Sequence, residues 1–176
     1  MNKQKSASSD VGKLQISKFL DDLASKNPTP GGGVVAALVA SFSASLIEMV
    51  CNLTIDKKAY VAVQKRIIEY RKEASGIKAR VFKLADEDAK AFDRVMKAYK
   101  SKDKLKTKKA LKYATQVPME VRRLSQELEK IGYRVSKIGN RNALSDAKTA
   151  IHLARAASKS ALENVVINKK ALAKLQ

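Results

Sequence analysis

The sequence predicts an all-α fold, a single-domain multi-helix bundle. Three observations predict it. Apolar or small residues fall at steps of three and four through Ile67, Tyr70, Ala74, Ile77, Val81 and Leu84, then Phe92, Val95 and Tyr99, which is one stripe of an α-helix. No stretch alternates apolar and polar residues as a half-buried strand would. Seven Gly and three Pro are few for a fold rich in tight turns. The 176 residues fit one domain, and 45% hydrophobic with 30% charged residues describes a globular chain. Residues 1–14 read as a frayed polar tail and 15–176 as the helical domain.

The elements follow in order. A short amphipathic helix is expected from Ser17 to Ala24, with Phe19, Leu20 and Leu23 inward. Asn27-Pro28-Thr29-Pro30-Gly31-Gly32-Gly33 breaks it, because proline fixes φ and glycine frees it. A helix from Val34 to Leu53 starts directly after this loop. Ser41, Ser43, Ser45, Glu48 and Asn52 interrupt its apolar run, so it reads as a buried core helix and not a membrane span. Helical pattern resumes from Lys57 to Tyr99, with a possible break at Ser75-Gly76. Lys97 to Lys109 holds seven lysines and one Asp103, a solvated loop leading into the next helix. That helix runs from Leu105 to Ile131, and Pro118 should kink it. Gly139-Asn140-Arg141-Asn142 is a turn. The last helix covers Ala143 to Leu172, capped by Ser145 or Asn142, with Ala147, Ile151, Ala154, Ala161, Val165 and Leu172 on its inner face.

Composition excludes several functions. The single Cys51 forms no internal disulfide and, with only His152 beside it in the inventory, builds no Cys/His zinc site. No metal site is therefore expected. Met1 to Asp10 is polar and no apolar signal segment follows it, which points to a cytoplasmic protein. The net charge of +19 suits a polyanionic partner: nucleic acid, anionic lipid or an acidic small molecule. A lysine-rich composition with a solvated surface gives the same charge. Sparse aromatics and the absence of a reader motif argue against nucleic acid.

Three features carry chemistry. The Gly31–Gly33 loop feeds a helix, whose first backbone N–H groups bind anions or let a flat ligand approach. It is not a P-loop, since no Lys-Ser or Lys-Thr follows. Asp88 lies on the apolar line Val81, Leu84, Phe92, Val95. At about 100° per residue, Asp86 lies about 160° away on the outer face. A core-facing carboxylate is desolvated unless paired, which raises its pKa and marks a candidate acid or base. Glu48 follows the same logic, or pairs with a lysine. The third feature is Asn140, Arg141, Asn142 and Asp146 in one turn, which suits helix capping or an amide-bearing heterocycle. His152 sits at the margin of the last helix's inner face, and Cys51 reads as a small core residue.

Taken together, these motifs resemble the formiminotransferase-cyclodeaminase C-terminal domain family, which includes free-standing methenyltetrahydrofolate cyclohydrolases. The resemblance rests on Leu23-Ala24-Ser25 with Pro28-Thr29-Pro30-Gly31-Gly32-Gly33-Val34-Val35-Ala36-Ala37, then Asn52-Leu53-Thr54-Ile55 with Lys57, Lys58 and Tyr60. It continues through Asp86-Glu87-Asp88-Ala89 with Ala91-Phe92-Asp93, Val117-Pro118, Gly139-Asn140 with Asn142-Ala143 and Ser145-Asp146, and Asn164-Val165 with Ile167-Asn168. It covers roughly residues 16–170. Asp56, where the family often has Gly, and Arg141, where an apolar residue is commoner, depart from the pattern.

The resemblance implies an all-helical homodimer acting on a tetrahydrofolate derivative as substrate, with no cofactor. It implies hydrolysis of 5,10-methenyltetrahydrofolate to 10-formyltetrahydrofolate, or closure of 5-formiminotetrahydrofolate with loss of ammonia. A basic, non-enzymatic binder of folate or nucleic acid is the third reading. The catalytic acid of the family maps to Asp88 or Asp86, and periodicity selects Asp88. Pro30, Gly31, Gly32, Gly33, Asn52, Lys57, Asn140, Asn142 and Asp146 become the candidate substrate contacts. The positive charge suits a polyglutamylated folate.

Overall fold

The structure, a computed structural model, describes residues 15–175. The tail expected over 1–14 lies outside the described residues. The order of elements is α1 (Ile16–Leu23), α2 (Gly32–Asn52), a 3-10 turn (Lys58–Val63), α3 (Gln64–Lys100), α4 (Lys104–Ile138), a second 3-10 turn (Arg141–Ala143) and α5 (Leu144–Ala173). No strand occurs among the described residues.

The apolar sequence of α2 dictates its place. A helix that is apolar on almost every side must be surrounded. Val34, Ala36, Ala37, Ala40, Ala44, Ile47, Val50 and Cys51 are buried, with α3 and α5 flanking and α4 completing the bundle. By length and composition α2 could cross a membrane, yet more than half of it is buried among the other helices. Alanines at the contacts, including Ala147, Ala150, Ala154, Ala157 and Ala161 on α5, let the axes come close. The hydroxyl of Ser43, inside this packing, donates to the Ala150 carbonyl at 2.8 Å. One side of α2 is left uncovered: Phe42 is 55% exposed, and Met49, Leu53 and the neighbouring Phe82 of α3 are exposed with it.

The long helices depart from expectation in three places. α3 runs unbroken through Ser75-Gly76, because one glycine costs only about 1 kcal/mol against the packing of the stripe Ile67, Ala74, Val81 and Leu84. α4 continues past Ile131 to Ile138 with Pro118 buried inside it. Neither Ser145 nor Asn142 caps α5, which starts after the 3-10 turn without a side-chain cap. Asn140 caps that turn instead, its Oδ1 accepting from the Asn142 N–H. The expected inward face of α1 is also only partly right: Phe19 packs against the core, while Leu20 is exposed.

Gly76 faces open space, with nothing near the position a Cβ would take. Gly76→Ala should therefore raise stability by about 1 kcal/mol, read as an increase of a few degrees in Tm. An unchanged or lower Tm would mean that this surface of α3 is covered in solution.

Candidate active site

Asp88 is the chemically distinctive group. The α3 stripe that buries Val81 and Leu84 carries Asp88 round to the same side, one turn further on. There it meets the first turn of α2. Its carboxylate accepts a hydrogen bond from the Val34 backbone N–H and packs directly on Gly33. Burial pushes the carboxyl up to about 6, and the Val34 N–H opposes that rise. A carboxylic acid titrating near 6 is poised to take a proton at neutral pH.

The glycine loop differs from expectation. None of its glycines has a positive φ. Gly31 is the extended N-cap, and Gly32 and Gly33 already belong to the helix. The Thr29–Pro30 peptide bond is cis. The helix N-terminus is no bare donor platform either, since Asp88 occupies one of its N–H groups.

Other polar groups lie on the elements that carry the site. Asn164 of α5 comes within 4.0 Å of the position a Gly32 Cβ would take, and its Nδ2 donates to the Ser160 carbonyl. Two turns back on α3, Arg80 binds Glu87 at 2.6 Å and Glu120 of α4 at 2.6 Å. This network joins α3 to α4. The Arg80–Glu87 spacing of two helical turns is visible in the sequence, whereas Glu120 and Asn164 depend on tertiary packing. Asp86 is half-buried, not on the fully outer face that periodicity assigned to it, and it has interactions of its own.

The remaining predicted contacts gather at the other end of the bundle. Asn52 closes α2, about 28 Å from Gly33 at 1.5 Å per residue. Its Oδ1 accepts from Arg71 at 3.2 Å. Lys57 and Asn142 are exposed, and Asp146 is half-buried in the first turn of α5. Asn140 is buried and occupied: its backbone N–H donates to Thr54 Oγ1 and its Nδ2 to the Leu53 carbonyl, both at 2.8 Å. Within the chain, then, Pro30 and Gly31–Gly33 stand with Asp88, while Asn52, Lys57, Asn140, Asn142 and Asp146 do not. Glu48 pairs with Lys78 at 2.8 Å. Cys51 is buried, its thiol pushed up to about 12 mainly by desolvation, and His152 is exposed. No cluster of three or more potential metal ligands occurs among the described residues.

Desolvation of Asp88 has a cost in stability. Its folded pKa is raised from 3.8 to about 6, so between those values the native state binds more protons than the unfolded chain, and stability falls as pH rises. Above pH 6 the charged carboxylate costs up to about 3 kcal/mol, from two pH units at ~1.4 kcal/mol each. Asp88→Asn keeps an acceptor for Val34 and removes the charge. The variant should be more stable than the native protein at pH 7, with the advantage gone below pH 4. Urea unfolding at both pH values tests this, and a variant that is less stable at pH 7 would contradict it.

Comparison with known proteins identifies the family. Residues 15–174 match the family described as Formiminotransferase-cyclodeaminase. The chain is 39% identical over 171 residues to a methenyltetrahydrofolate cyclohydrolase of Methylorubrum extorquens, covering 92% of this chain and 82% of that protein. It is 28% identical to the mouse formimidoyltransferase-cyclodeaminase, covering 86% of this chain and 30% of that much longer protein. The crystal structure of a formiminotetrahydrofolate cyclodeaminase from Thermotoga maritima superposes with a TM-score of 0.88 at 36% identity, covering 92% of this chain and 81% of that one. The chain belongs to the formiminotransferase-cyclodeaminase family.

Proposed function

We propose that the protein is a methenyltetrahydrofolate cyclohydrolase with Asp88 as its general base. The carrying observation is a desolvated carboxylate titrating near 6 at the mouth of α2, in a chain 39% identical to a cyclohydrolase along most of both lengths. The substrate carries an amidinium cation between two nitrogens. Asp88 faces that cation and holds it by charge. It takes a proton from water as the oxygen bonds to the amidinium carbon. The proton passes to the ring nitrogen at position 5 as its bond to that carbon breaks. The hydroxyl proton leaves for solvent, so a cation and water become the neutral 10-formyl product and one proton. The scheme uses no cofactor and no metal.

Two supporting features concern assembly and substrate. The uncovered stripe of α2, with Phe42, Met49 and Leu53 exposed, supports a homodimer. If two α2 helices cross antiparallel, the Asn52 end of one subunit meets the Gly33 end of its partner. That arrangement would unite the two groups of candidate contacts that one chain keeps about 28 Å apart. The lysine-rich α3–α4 hairpin extends from the end of the bundle that carries Asp88, with Lys97, Lys100, Lys102, Lys104, Lys106 and Lys109 exposed. It supports a folate bearing several glutamates. A cytoplasmic enzyme of one-carbon metabolism is the corresponding setting.

A second reading, formiminotetrahydrofolate cyclodeaminase, is favoured by the similarity to the Thermotoga maritima structure. The substrates separate the two. Purified protein should accelerate loss of the near-ultraviolet absorbance of methenyltetrahydrofolate, and Asp88→Asn should lower that rate at least ~100-fold, the lower bound for a positioned general base. Ammonia release from formiminotetrahydrofolate without methenyl hydrolysis would transfer the assignment to the deaminase. Phe42→Glu should convert a dimer to a monomer in sedimentation and lower turnover in step. A monomeric native protein with full activity would refute the shared site.

A further inference from the structure

The three loop glycines are not equivalent. A Cβ on Gly31 would meet only the Pro28 carbonyl at 3.6 Å, and one on Gly32 only Asn164 Nδ2 at 4.0 Å. Both are ordinary contacts. A Cβ on Gly33 would overlap Oδ1, Oδ2 and Cγ of Asp88. Backbone conformation does not explain Gly33, because its φ is negative and it lies inside a helix, where alanine is favoured over glycine by about 1 kcal/mol. Something other than local conformation requires the missing side chain, and the atoms next to it are those of the Asp88 carboxylate.

We propose that Gly33 is a positioning residue for Asp88: the absent side chain is the space the carboxylate occupies, so α2 as well as α3 sets where Asp88 acts. Two consequences follow from the geometry. With a methyl group at position 33 the carboxylate must rotate or withdraw, and the Val34 N–H, on the next residue, loses its partner. The site is therefore a joint between two helices. The first two turns of α2 carry no charged side chain, and Glu163 on α5 is exposed. On α3, Arg80 is committed to Glu87 and to Glu120 of α4. The partner of the carboxylate on α2 is thus a backbone amide, and only glycine lets the carboxylate reach it.

The inference rests on Asp88 as the reacting base, and the experiment separates the two claims. Gly33→Ala is compared with the native protein, with Gly76→Ala as a control and with Asp88→Asn. The readouts are kcat and KM for methenyltetrahydrofolate hydrolysis and a carbon NMR titration of the Asp88 carboxyl. Gly33→Ala should lower kcat about 100-fold, as expected for a catalytic group misplaced by about 1 Å, with KM changed less than threefold. The Asp88 titration should move at least half a pH unit from about 6. An unchanged titration with kcat within threefold of native overturns the proposal, while an inactive Asp88→Asn still upholds the base. An active Asp88→Asn overturns the base, and the titration then decides the positioning alone. If Gly33→Ala folds poorly, a double-variant cycle with Asp88→Ala settles the matter. Gly33→Ala should lower Tm at least twice as much in the native background as in the Asp88→Ala background, where the shorter side chain leaves room for the methyl group. Equal losses overturn the proposal.

Discussion

The structure depends on the burial of α2. A helix with alanine, valine and isoleucine on most of its sides has no stable place in water, so α3, α4 and α5 wrap it. Each of the other features follows from that. The alanines of α5 allow close approach to it. Ser43 and Thr54, two of the polar residues that go inside, each find a carbonyl, Thr54 giving its proton to Val50 at 2.7 Å. Thr54 also accepts the Asn140 N–H and so ties the end of α2 to the α4–α5 connection. These helices leave one face of α2 bare, with Phe42 and Met49 exposed on it.

The same burial creates the chemistry. Asp88 is drawn out of water by the stripe it shares with Val81 and Leu84, and desolvation weakens it as an acid. Without a partner this half-buried carboxylate would be a weaker acid still. The Val34 N–H restores part of its anionic character, and the positive end of α2 points the same way. The balance falls near 6, where the carboxylate is mostly charged at neutral pH yet basic enough to accept a proton. The stability sacrificed at Asp88 is the counterpart of that basicity.

Much of this was legible in the residues. The three-and-four spacing gave the helices, and placed Asp88 inward, because side-chain direction on a helix is set locally. Glu48 took the lysine partner that the sequence offered it, Lys78. What local pattern could not convey was distance across the fold. Asn52 and Asn140 share motif character with the glycine loop, but α2 is long enough to separate them by about 28 Å. The glycines suggested free donors for an anion or a flat ligand, whereas the structure uses Gly33 for space and gives a donor to Asp88. Asn140, a natural ligand-reader by residue type, is consumed by Thr54, Leu53 and Asn142. The continuity of α3 across Gly76 likewise came from packing, which outweighs one residue's propensity.

The proposed working base is the desolvated carboxylate at the head of α2. The most direct measurement sets the pH dependence of kcat/KM for methenyltetrahydrofolate hydrolysis beside the titration of the Asp88 carboxyl in the free, folded protein. The rate should fall on the acid side with the same midpoint as the carboxyl, near 6. A carboxyl titrating near its ordinary value of 3.8, with a rate indifferent to pH across the neutral and mildly acid range, would contradict it.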